Sequence, residues 1–158
     1  MPKEESAGAI IYILKNNVPH YLLLHYPSGH WEFARGHKEE GESEEITVRR
    51  EVEEETGLRD IKIIPGFKEH TKLIFRRTYN LKPSEKKRAP WIVKIVTLYL
   101  AQAITQDVKI SEEHQGFLWL PYEEAHKKLL KKGRDVLEKA HQFLLNKLYN
   151  DSISPKGV

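Results

Sequence analysis

The chain has 158 residues, of which 39% are hydrophobic and 31% charged, and a formal net charge of +3. This composition fits one soluble globular domain, and no apolar run approaches the roughly 18 to 20 residues that cross a bilayer. The chain contains no cysteine, which excludes a disulfide framework and thiolate chemistry. The modest charge does not indicate a stable nucleic-acid partner, and the start lacks the apolar stretch of a secretory signal. We therefore expect a cytoplasmic protein without a membrane partner.

The first half of the chain predicts strands around one helix. Apolar runs at 8–14 and 21–26 flank an Asn-rich turn, as is typical of a β-hairpin, and a short strand is predicted at 31–33. Residues 43–56 predict a helix, with Ser43 as its N-cap and Gly57 where a C-terminal cap glycine belongs. The next strands are expected at 61–64 and 67–75.

The second half predicts one long strand and two helices. Residues 80–90 are rich in Lys, Pro and Ser and predict a loop without regular structure, and the long β-branched and aromatic run at 91–103 is the strongest strand candidate. A polar loop at 111–116 leads to a short strand at 117–120, and helical periodicity covers 122–131 and 134–149. We expect residues 1–150 to form a single domain with a mixed sheet between helices, followed by a flexible tail at 151–158.

Three glutamates of the first helix, Glu51, Glu54 and Glu55, share one face, because residues three and four apart lie side by side. Their mutual repulsion costs about 0.2 to 0.5 kcal/mol per pair, and a hard cation with oxygen ligands offsets it. Magnesium held by carboxylates and shared with substrate phosphates is a recurrent arrangement. This face therefore predicts a metal site, with a solvated glutamate-rich helix as the alternative.

The stretch 36–58 resembles the catalytic box of the Nudix hydrolases. That box reads Gly, five residues, Glu, seven residues, Arg-Glu, an aliphatic residue, any residue, Glu-Glu, any residue, Gly and an aliphatic residue. Every constrained position is filled, by Gly36, Glu42, Arg50, Glu51, Val52, Glu54, Glu55, Gly57 and Leu58. The resemblance implies an α/β protein with the Nudix fold: an α/β/α sandwich with a mixed central sheet and a catalytic loop–helix–loop. It also implies a pyrophosphohydrolase that uses metal ions and water to attack phosphorus.

Two further segments resemble the asymmetrical diadenosine tetraphosphate hydrolases. Residues 31–37 match the Trp-x-x-Pro-Lys-Gly-His approach of that subfamily, except that Ala34 and Arg35 replace proline and lysine. Residues 111–115 match its Ser-x-Glu-His-Gln segment, in which the glutamate, here Glu113, returns to the metals as a ligand or as the base that orders water. The resemblance implies cleavage of diadenosine tetraphosphate, a small-molecule dinucleoside polyphosphate, to ATP and AMP.

Carried over by position, the resemblance assigns roles to particular residues. The metal, Mg²⁺ with Mn²⁺ as a possible substitute, is expected on Gly36, Glu51, Glu54, Glu55 and Glu113. The catalytic residues are expected to be Glu54 and Glu113, with Arg50 and Glu42 bracing the box through an ion pair or hydrogen bonds. Substrate contacts are expected from Arg35, His37, Lys94, Tyr26 and Tyr79.

One departure from the subfamily concerns the side chain that stacks on the adenine. Leu98 stands where an aromatic residue is common, so the stacking surface is sought at Tyr26, Trp31, Phe75 or Tyr79. The basic residues of 76–88 are expected either to contact the far phosphates or to form a solvated loop.

Two other functions remain open from the sequence. Another Nudix activity, on RNA 5′ ends or on nucleoside triphosphates, is the first alternative. A regulator that binds nucleotide without cleaving it is the second, and it is disfavoured because no box glutamate is lost. The oligomeric state does not follow from the sequence.

Overall fold

The computed structural model describes residues 1–153, in which seven strands and four helices follow one another along the chain. In chain order they are β1 (Lys3–Lys15), β2 (Val18–His25), β3 (Trp31–Glu32), β4 (Ala34–His37), α1 (Glu44–Thr56), β5 (Ile61–Arg76), α2 (Pro83–Lys86), β6 (Trp91–Ala103), β7 (Gly116–Pro121), α3 (Tyr122–Lys128) and α4 (Lys131–Ile153). No helix of residues 1–153 is both long and apolar enough to cross a membrane.

The strands form one mixed sheet with β1 at its centre. The strand order is β3-β2-β1-β6-β5, and β4 and β7 pair with β1 and β2 respectively. β1 is parallel to β6, whereas its pairings with β2 and β4 are antiparallel. Because β1 pairs with β2 through its second half and with β4 through its first half, the box segment that begins in β4 lies directly on the central strand.

Helices cover both faces of the sheet, and each face has its own core. Val48 and Val52 of α1 pack on one face against alternate residues of β1 such as Ala9 and Ile11. On the other face, residues of α3 and α4, including Leu137, join Ile10 in a second cluster. A strand buried on both faces reads as a continuous apolar run, because its alternate side chains enter two different cores.

The helix of the catalytic box, α1, has both predicted caps. Ser43 Oγ accepts a hydrogen bond from the Ile46 amide at 3.3 Å, which satisfies one free donor of the first turn. Gly57 ends the helix in the left-handed conformation, with φ of 75°, and its amide donates to the Glu53 carbonyl at 2.8 Å. These caps fix both ends of the helix that carries the box glutamates.

Several element boundaries differ from the sequence predictions. The segment expected to lack regular structure contains the short helix α2, which begins at Pro83 and whose Glu85 carboxylate accepts from the Lys82 amide at 3.1 Å. The two strands expected at 61–64 and 67–75 are one strand, β5, with a register shift between Ile63 and Lys68 at the Pro-Gly pair. Local polarity and the Pro-Gly pair were therefore misleading at these two places.

The helices of the second half also differ in extent from the predictions. The first, α3, ends at Lys128, because Leu129 is extended with ψ of 153°. The second, α4, runs from Lys131 to Ile153, so the first three residues of the expected tail continue the helix. The rest of that expected tail, 154–158, lies outside the described residues.

Replacement of Gly57 by alanine tests the helix cap. We expect Gly57→Ala to lower the free energy of unfolding by about 1 to 2 kcal/mol, because an L side chain is strained at positive φ. A clash does not contribute, since the added methyl would lie 3.5 Å from Lys109 Cβ, an ordinary contact. Urea unfolding followed by circular dichroism measures the change. Gly116→Ala is the matched control, because nothing lies within 4 Å of its added methyl; equal stability of the two variants would contradict the cap's role.

Candidate active site

A cavity of about 720 Å³ opens beside β4 and the box helix. It is lined by Ser6, Tyr26, Glu32, Arg35, Gly36, His37, Glu39, Glu51, Glu54, Glu55, Lys94, Ser111, Glu112 and Glu113. Seven of these fourteen residues are glutamates, which gives the cavity the strongly acidic character that suits cation binding. The cavity is also lined by all five residues expected to hold metal, Gly36, Glu51, Glu54, Glu55 and Glu113.

Arg50 ties the box together from one side of this cavity. Its Nε and Nη2 donate to the two carboxylate oxygens of Glu42 at 2.7 and 2.9 Å, a bidentate pair, and Nη2 also donates to the His37 carbonyl at 2.9 Å. Its Nη1 donates to Glu51 at 2.8 Å and to Glu54 at 3.2 Å. The ion pair expected between Glu42 and Arg50 is therefore present, and the same guanidinium also reaches the two cavity glutamates.

Glu42 is held as a carboxylate by its donors. Besides Arg50, the Glu39 amide donates to it at 2.8 Å and the Thr47 hydroxyl at 3.0 Å. These hydrogen bonds lower the pKa of Glu42 to about 2, and the bond from Arg50 has the largest effect. A permanently charged Glu42 keeps Arg50 in place at any ordinary pH.

The box glutamates differ in burial. Glu55 is 6% exposed, whereas the side chain of Glu54 is 57% exposed at the cavity mouth. Burial, followed by the charges of Glu51 and Glu113, raises the pKa of Glu55 to about 8, and burial also raises that of Glu51. The Arg35 amide donates to Glu55 at 3.0 Å, which favours its charged form. The protein thus concentrates carboxylates where their own repulsion opposes ionisation.

Gly36 is required by close packing rather than by an unusual backbone conformation. A Cβ at this position would overlap the carboxylate of Glu51. Any side chain would therefore displace Glu51 from the cavity. The absence of a side chain also leaves the backbone of β4 open beside the helix glutamates.

The oxygen donors of the cavity fit a divalent cation. Burial first, and then repulsion from neighbouring carboxylates, raises the pKa of Glu51 and that of Glu55, and a hard cation would offset that repulsion. Within residues 1–153, however, no three acidic or histidine side chains already converge into a metal cage. Glu51 and Glu54 instead turn toward Arg50. The donor chemistry therefore fits a metal, while the present side-chain conformations satisfy Arg50.

Glu113 reaches the cavity from the loop before β7. This loop is fixed at both ends, because the Ser111 amide donates to the Glu55 carbonyl at 3.3 Å and the Gln115 amide to the His25 carbonyl at 2.8 Å. The box helix and β2 thus hold the loop across about 60 and 90 residues of chain. Glu113 remains exposed at the cavity, close enough for its charge to act on Glu51 and Glu55.

Two cationic side chains, Arg35 and Lys94, also line this cavity, together with His37. Arg35 forms an ion pair with Glu32 at 2.8 Å, and Lys94 lies on β6 with its pKa lowered by burial and by Arg35. His37 is exposed at the end of β4. Anionic phosphates would find Arg35, Lys94 and His37 next to the acidic wall. All three residues line the cavity, and their contact with a substrate stays a prediction.

A second cavity of about 320 Å³ adjoins the first and shares Glu32 and Arg35 with it. Its walls are mostly apolar, and Leu98 lies among them, as does Trp31. The Trp31 ring stacks on His25 with 4.5 Å between ring centres. Among the aromatic residues considered for stacking on a base, Trp31 is therefore the one that lines this apolar cavity.

Two expected contacts are placed differently by the structure. Tyr79 is 88% exposed and lines neither cavity. Phe75 also lies outside both cavities. The basic residues of 76–88 do not line the catalytic cavity either. Tyr26 does line it, but its hydroxyl donates to the Phe33 carbonyl at 3.1 Å and its ring packs edge-on against His114.

His114 is the residue of this site that the sequence did not single out. It is 7% exposed, and Nε2 lies 3.4 Å from Glu55 Oε1 without the alignment of a hydrogen bond. Burial lowers its pKa, which favours the neutral ring. Its place in the Ser-x-Glu-His-Gln segment was the available signal, but only the fold shows that it lies beneath the glutamates.

Comparisons with known proteins agree with this geometry. The NUDIX domain family model matches residues 5–140. The chain is 32% identical over 138 residues to a Mus musculus protein and 35% identical over 136 residues to a Sus scrofa protein, both named asymmetrical bis(5′-nucleosyl)-tetraphosphatase. The alignments cover 83% and 82% of this chain and 84% and 83% of those proteins.

A solved structure gives the same result for the fold. The crystal structure of a C. elegans Ap4A hydrolase binary complex matches with a TM-score of 0.73 at 28% identity, covering 90% of this chain and 98% of that chain. The α/β fold expected from the sequence is thereby confirmed. The matching family model, the similar proteins and the complete catalytic box show that this chain belongs to the Nudix hydrolase family.

Proposed function

We propose that this Nudix hydrolase cleaves diadenosine tetraphosphate asymmetrically into ATP and AMP. The observation that carries the proposal is the junction of two cavities, one acidic and bordered by cations, the other mostly apolar. A dinucleotide has the same two parts, a polyanionic bridge and a flat nucleoside. The names of the mouse and pig relatives support the same substrate.

Nudix hydrolases generally use divalent metals, and we propose Mg²⁺ here, with Mn²⁺ as a substitute. Glu51, Glu54, Glu55, Glu113 and the Gly36 carbonyl would hold it. A bound metal neutralises phosphate oxygens and lowers the pKa of a water molecule.

The protein's own cationic side chains would bind the tetraphosphate bridge of the substrate. A tetraphosphate bridge carries about four negative charges, so several contacts are needed, each strongest when bidentate from arginine. Arg35 supplies such a fork, Lys94 supplies a further positive charge, and His37 supplies a ring nitrogen for hydrogen bonding along the cavity wall. Because Arg35 lines both cavities, its contact with the phosphate bridge in one cavity would position the substrate's nucleoside in the other.

Glu113 is the proposed residue that orients or deprotonates the attacking water. It lies on a loop that hydrogen bonds anchor to the box helix and to β2, and it is exposed rather than paired with Arg50. Water guided from this side would attack the phosphate bearing one adenosine, and ATP would leave. Catalysis of this kind depends on positioning and charge stabilisation.

Loss of a box carboxylate should stop turnover without unfolding the protein. We expect Glu54→Gln to lower kcat on diadenosine tetraphosphate by at least about a hundredfold, because it removes a metal-binding or basic oxygen. Glu113→Gln should lower kcat by roughly ten- to a thousandfold with little change in KM, since its role is felt mainly in the transition state. Steady-state kinetics with chromatographic product detection measures both.

Neighbouring glutamates provide the matched controls. Glu53→Gln removes an exposed carboxylate on the next residue that pairs with Arg59 instead of lining the cavity, and its kinetics should match the unmodified protein. Glu112→Gln removes a cavity carboxylate next to Glu113 and should have a smaller effect. Near-normal turnover by Glu54→Gln would sink the assignment of the site.

The identity of the metal can be tested by replacement. Activity should vanish with chelator and return with Mg²⁺ or Mn²⁺, whereas Ca²⁺ should support it poorly, because calcium accepts longer and looser coordination and would misplace the water. The rate of product formation in each metal measures this. Equal rates in calcium and magnesium would argue against the proposed positioning.

Cleavage in ¹⁸O-labelled water identifies the phosphorus that is attacked. We expect the label in AMP, because water is proposed to attack the phosphate bearing one adenosine while ATP leaves. Mass spectrometry of the separated nucleotides gives the answer. Label in ATP, or two molecules of ADP as products, is incompatible with this geometry.

A further inference from the structure

A buried serine of the central strand, Ser6, lies on the wall of the catalytic cavity. It is 3% exposed, and its hydroxyl has no hydrogen-bond partner within residues 1–153. A buried hydroxyl without a partner is unfavourable, because it has lost the water that hydrated it in the unfolded chain. A ligand in the cavity that accepts a hydrogen bond from Ser6 would remove this penalty.

Strand pairing places Ser6 among the cationic residues of the cavity. Register partners in a sheet project from the same face, and so do alternate residues of one strand. Ser6 is the partner of His37, which follows Arg35 by two residues on β4. On its other side, Glu4 precedes Ser6 by two residues and is the partner of Lys94 on β6. The short side chain of Ser6 therefore lies on a face from which Arg35, His37 and Lys94 also project.

The charges on this face favour an anion. Glu4 projects from it as well, but its carboxylate accepts a hydrogen bond from Arg77 Nη2 at 2.8 Å, and this bond lowers the pKa of Glu4. Burial and the nearby charge of Arg35 lower the pKa of Lys94. An anion between Arg35 and Lys94 would offset their repulsion, and the hydroxyl of Ser6 would be a third donor to it.

The box helix lies on the other face of β4. A Cβ at Gly36 would overlap the carboxylate of Glu51, so Gly36 points toward the helix. Its neighbours Arg35 and His37 point the other way, because successive residues of a strand alternate between faces. The cavity therefore includes both faces of β4, with Glu51 on one and Ser6 on the other.

The apolar cavity begins next to Ser6 on the same face. Ser6 is the register partner of Val96, and Gly8 is that of Leu98. Val96 and Leu98 both line the apolar cavity. Ser6 thus lies at the junction of the two cavities, beside the proposed nucleoside site and away from the proposed metal ligands of the helix.

Resting on the dinucleotide cleavage proposed above, we propose that Ser6 is a phosphate-binding residue, whose hydroxyl donates a hydrogen bond to the phosphate bearing the nucleoside in the apolar cavity. Arg35 and Lys94 would bind the same phosphate. The attacked phosphate would bear the other adenosine, so ATP is the product that keeps this contact. Because the contact is equal in the ground state and the transition state, it lowers KM and leaves kcat unchanged.

Equilibrium binding of ATP tests this contact without turnover. Isothermal titration calorimetry in Ca²⁺, which is expected to support hydrolysis poorly, measures the Kd. We expect Ser6→Ala to raise the Kd of ATP about tenfold, because a hydrogen bond to a charged group is lost. The Kd of adenosine should stay within about twofold, since adenosine has no phosphate to accept the bond. An unchanged Kd of ATP, or an equal loss for adenosine, overturns the proposal.

Steady-state kinetics gives a second readout. Ser6→Ala should raise KM for diadenosine tetraphosphate about tenfold and keep kcat within about twofold. A fall in kcat at unchanged KM would contradict the assigned contact. If the parent protein does not cleave the dinucleotide but Ser6→Ala still weakens ATP, only the proposed dinucleotide substrate fails. If the dinucleotide is cleaved and Ser6→Ala changes neither KM nor the Kd of ATP, only the role of Ser6 fails.

A cysteine at this position separates hydrogen bonding from packing. Ser6→Cys keeps a side chain of similar size but offers only a weak donor. We therefore expect it to weaken ATP binding about as much as Ser6→Ala does. ATP binding by Ser6→Cys at the affinity of the parent would show that the side chain only fills space, and would overturn the proposal.

Thr97 provides the matched control, because it is a buried hydroxyl on the opposite face of the same sheet. It is 4% exposed, it follows Val96 on β6, and its Oγ1 lies within hydrogen-bond distance of His70 Nδ1, at 2.8 Å. Thr97→Val should lower the midpoint of urea unfolding and keep the Kd of ATP within about twofold, since it breaks an existing bond remote from the cavity.

Ser6→Ala should behave in the opposite way. Its midpoint of urea unfolding should equal or exceed that of the parent, because it removes a buried hydroxyl that has no partner within residues 1–153. A lower midpoint for Ser6→Ala, together with ATP binding weakened equally by Thr97→Val, would mean that both hydroxyls act only through the fold, and would overturn the proposal.

Discussion

The guanidinium of Arg50 is the interaction on which the geometry of the site depends. It binds the loop before the helix through Glu42 and the His37 carbonyl, and it binds the helix itself through Glu51 and Glu54. A planar fork with five donors can hold loop and helix together in this way, whereas the point charge of a lysine cannot. Removal of this one side chain would leave the concentrated carboxylates without their nearest counter-charge, and would release the loop.

Around this centre the fold separates charges that would otherwise cancel. The glutamates of α1 and the loop before β7 form one wall, while Arg35 and Lys94 stand on the sheet side. Burial, and after it the charges of the neighbouring glutamates, raises the pKa of Glu55 to about 8, and this unfavourable concentration of carboxylates suits the site to cations. The basic residues of 76–88 lie outside this arrangement.

Much of the site was predictable because its information is local. The spacing of the box glutamates fixes their common helix face, Ser43 and Gly57 mark the helix ends, and the hairpin and the long strand of β6 follow from apolar runs between turn residues. The same local reasoning failed where contacts with distant segments of the chain determine the structure. Residues 3–7 have little apolar character, yet they extend β1 because they pair with β6, 90 residues further along the chain. Tyr79 was a candidate for stacking on the base, but it is exposed and lies outside both cavities.

The sequence by itself determined the family, the fold class and the carboxylates of the box, because these depend on residue identity at fixed spacing along one helix and its flanking loops. Only the tertiary structure decided which distant residues meet that helix. It buried His114 beneath Glu55, brought Lys94 to the cavity wall and brought Glu113 to the cavity beside the box helix, since hydrogen bonds and packing between segments more than 50 residues apart set those distances. It also placed the basic residues of 76–88 outside the catalytic cavity, because a segment acquires a position only when the sheet fixes the strands on either side.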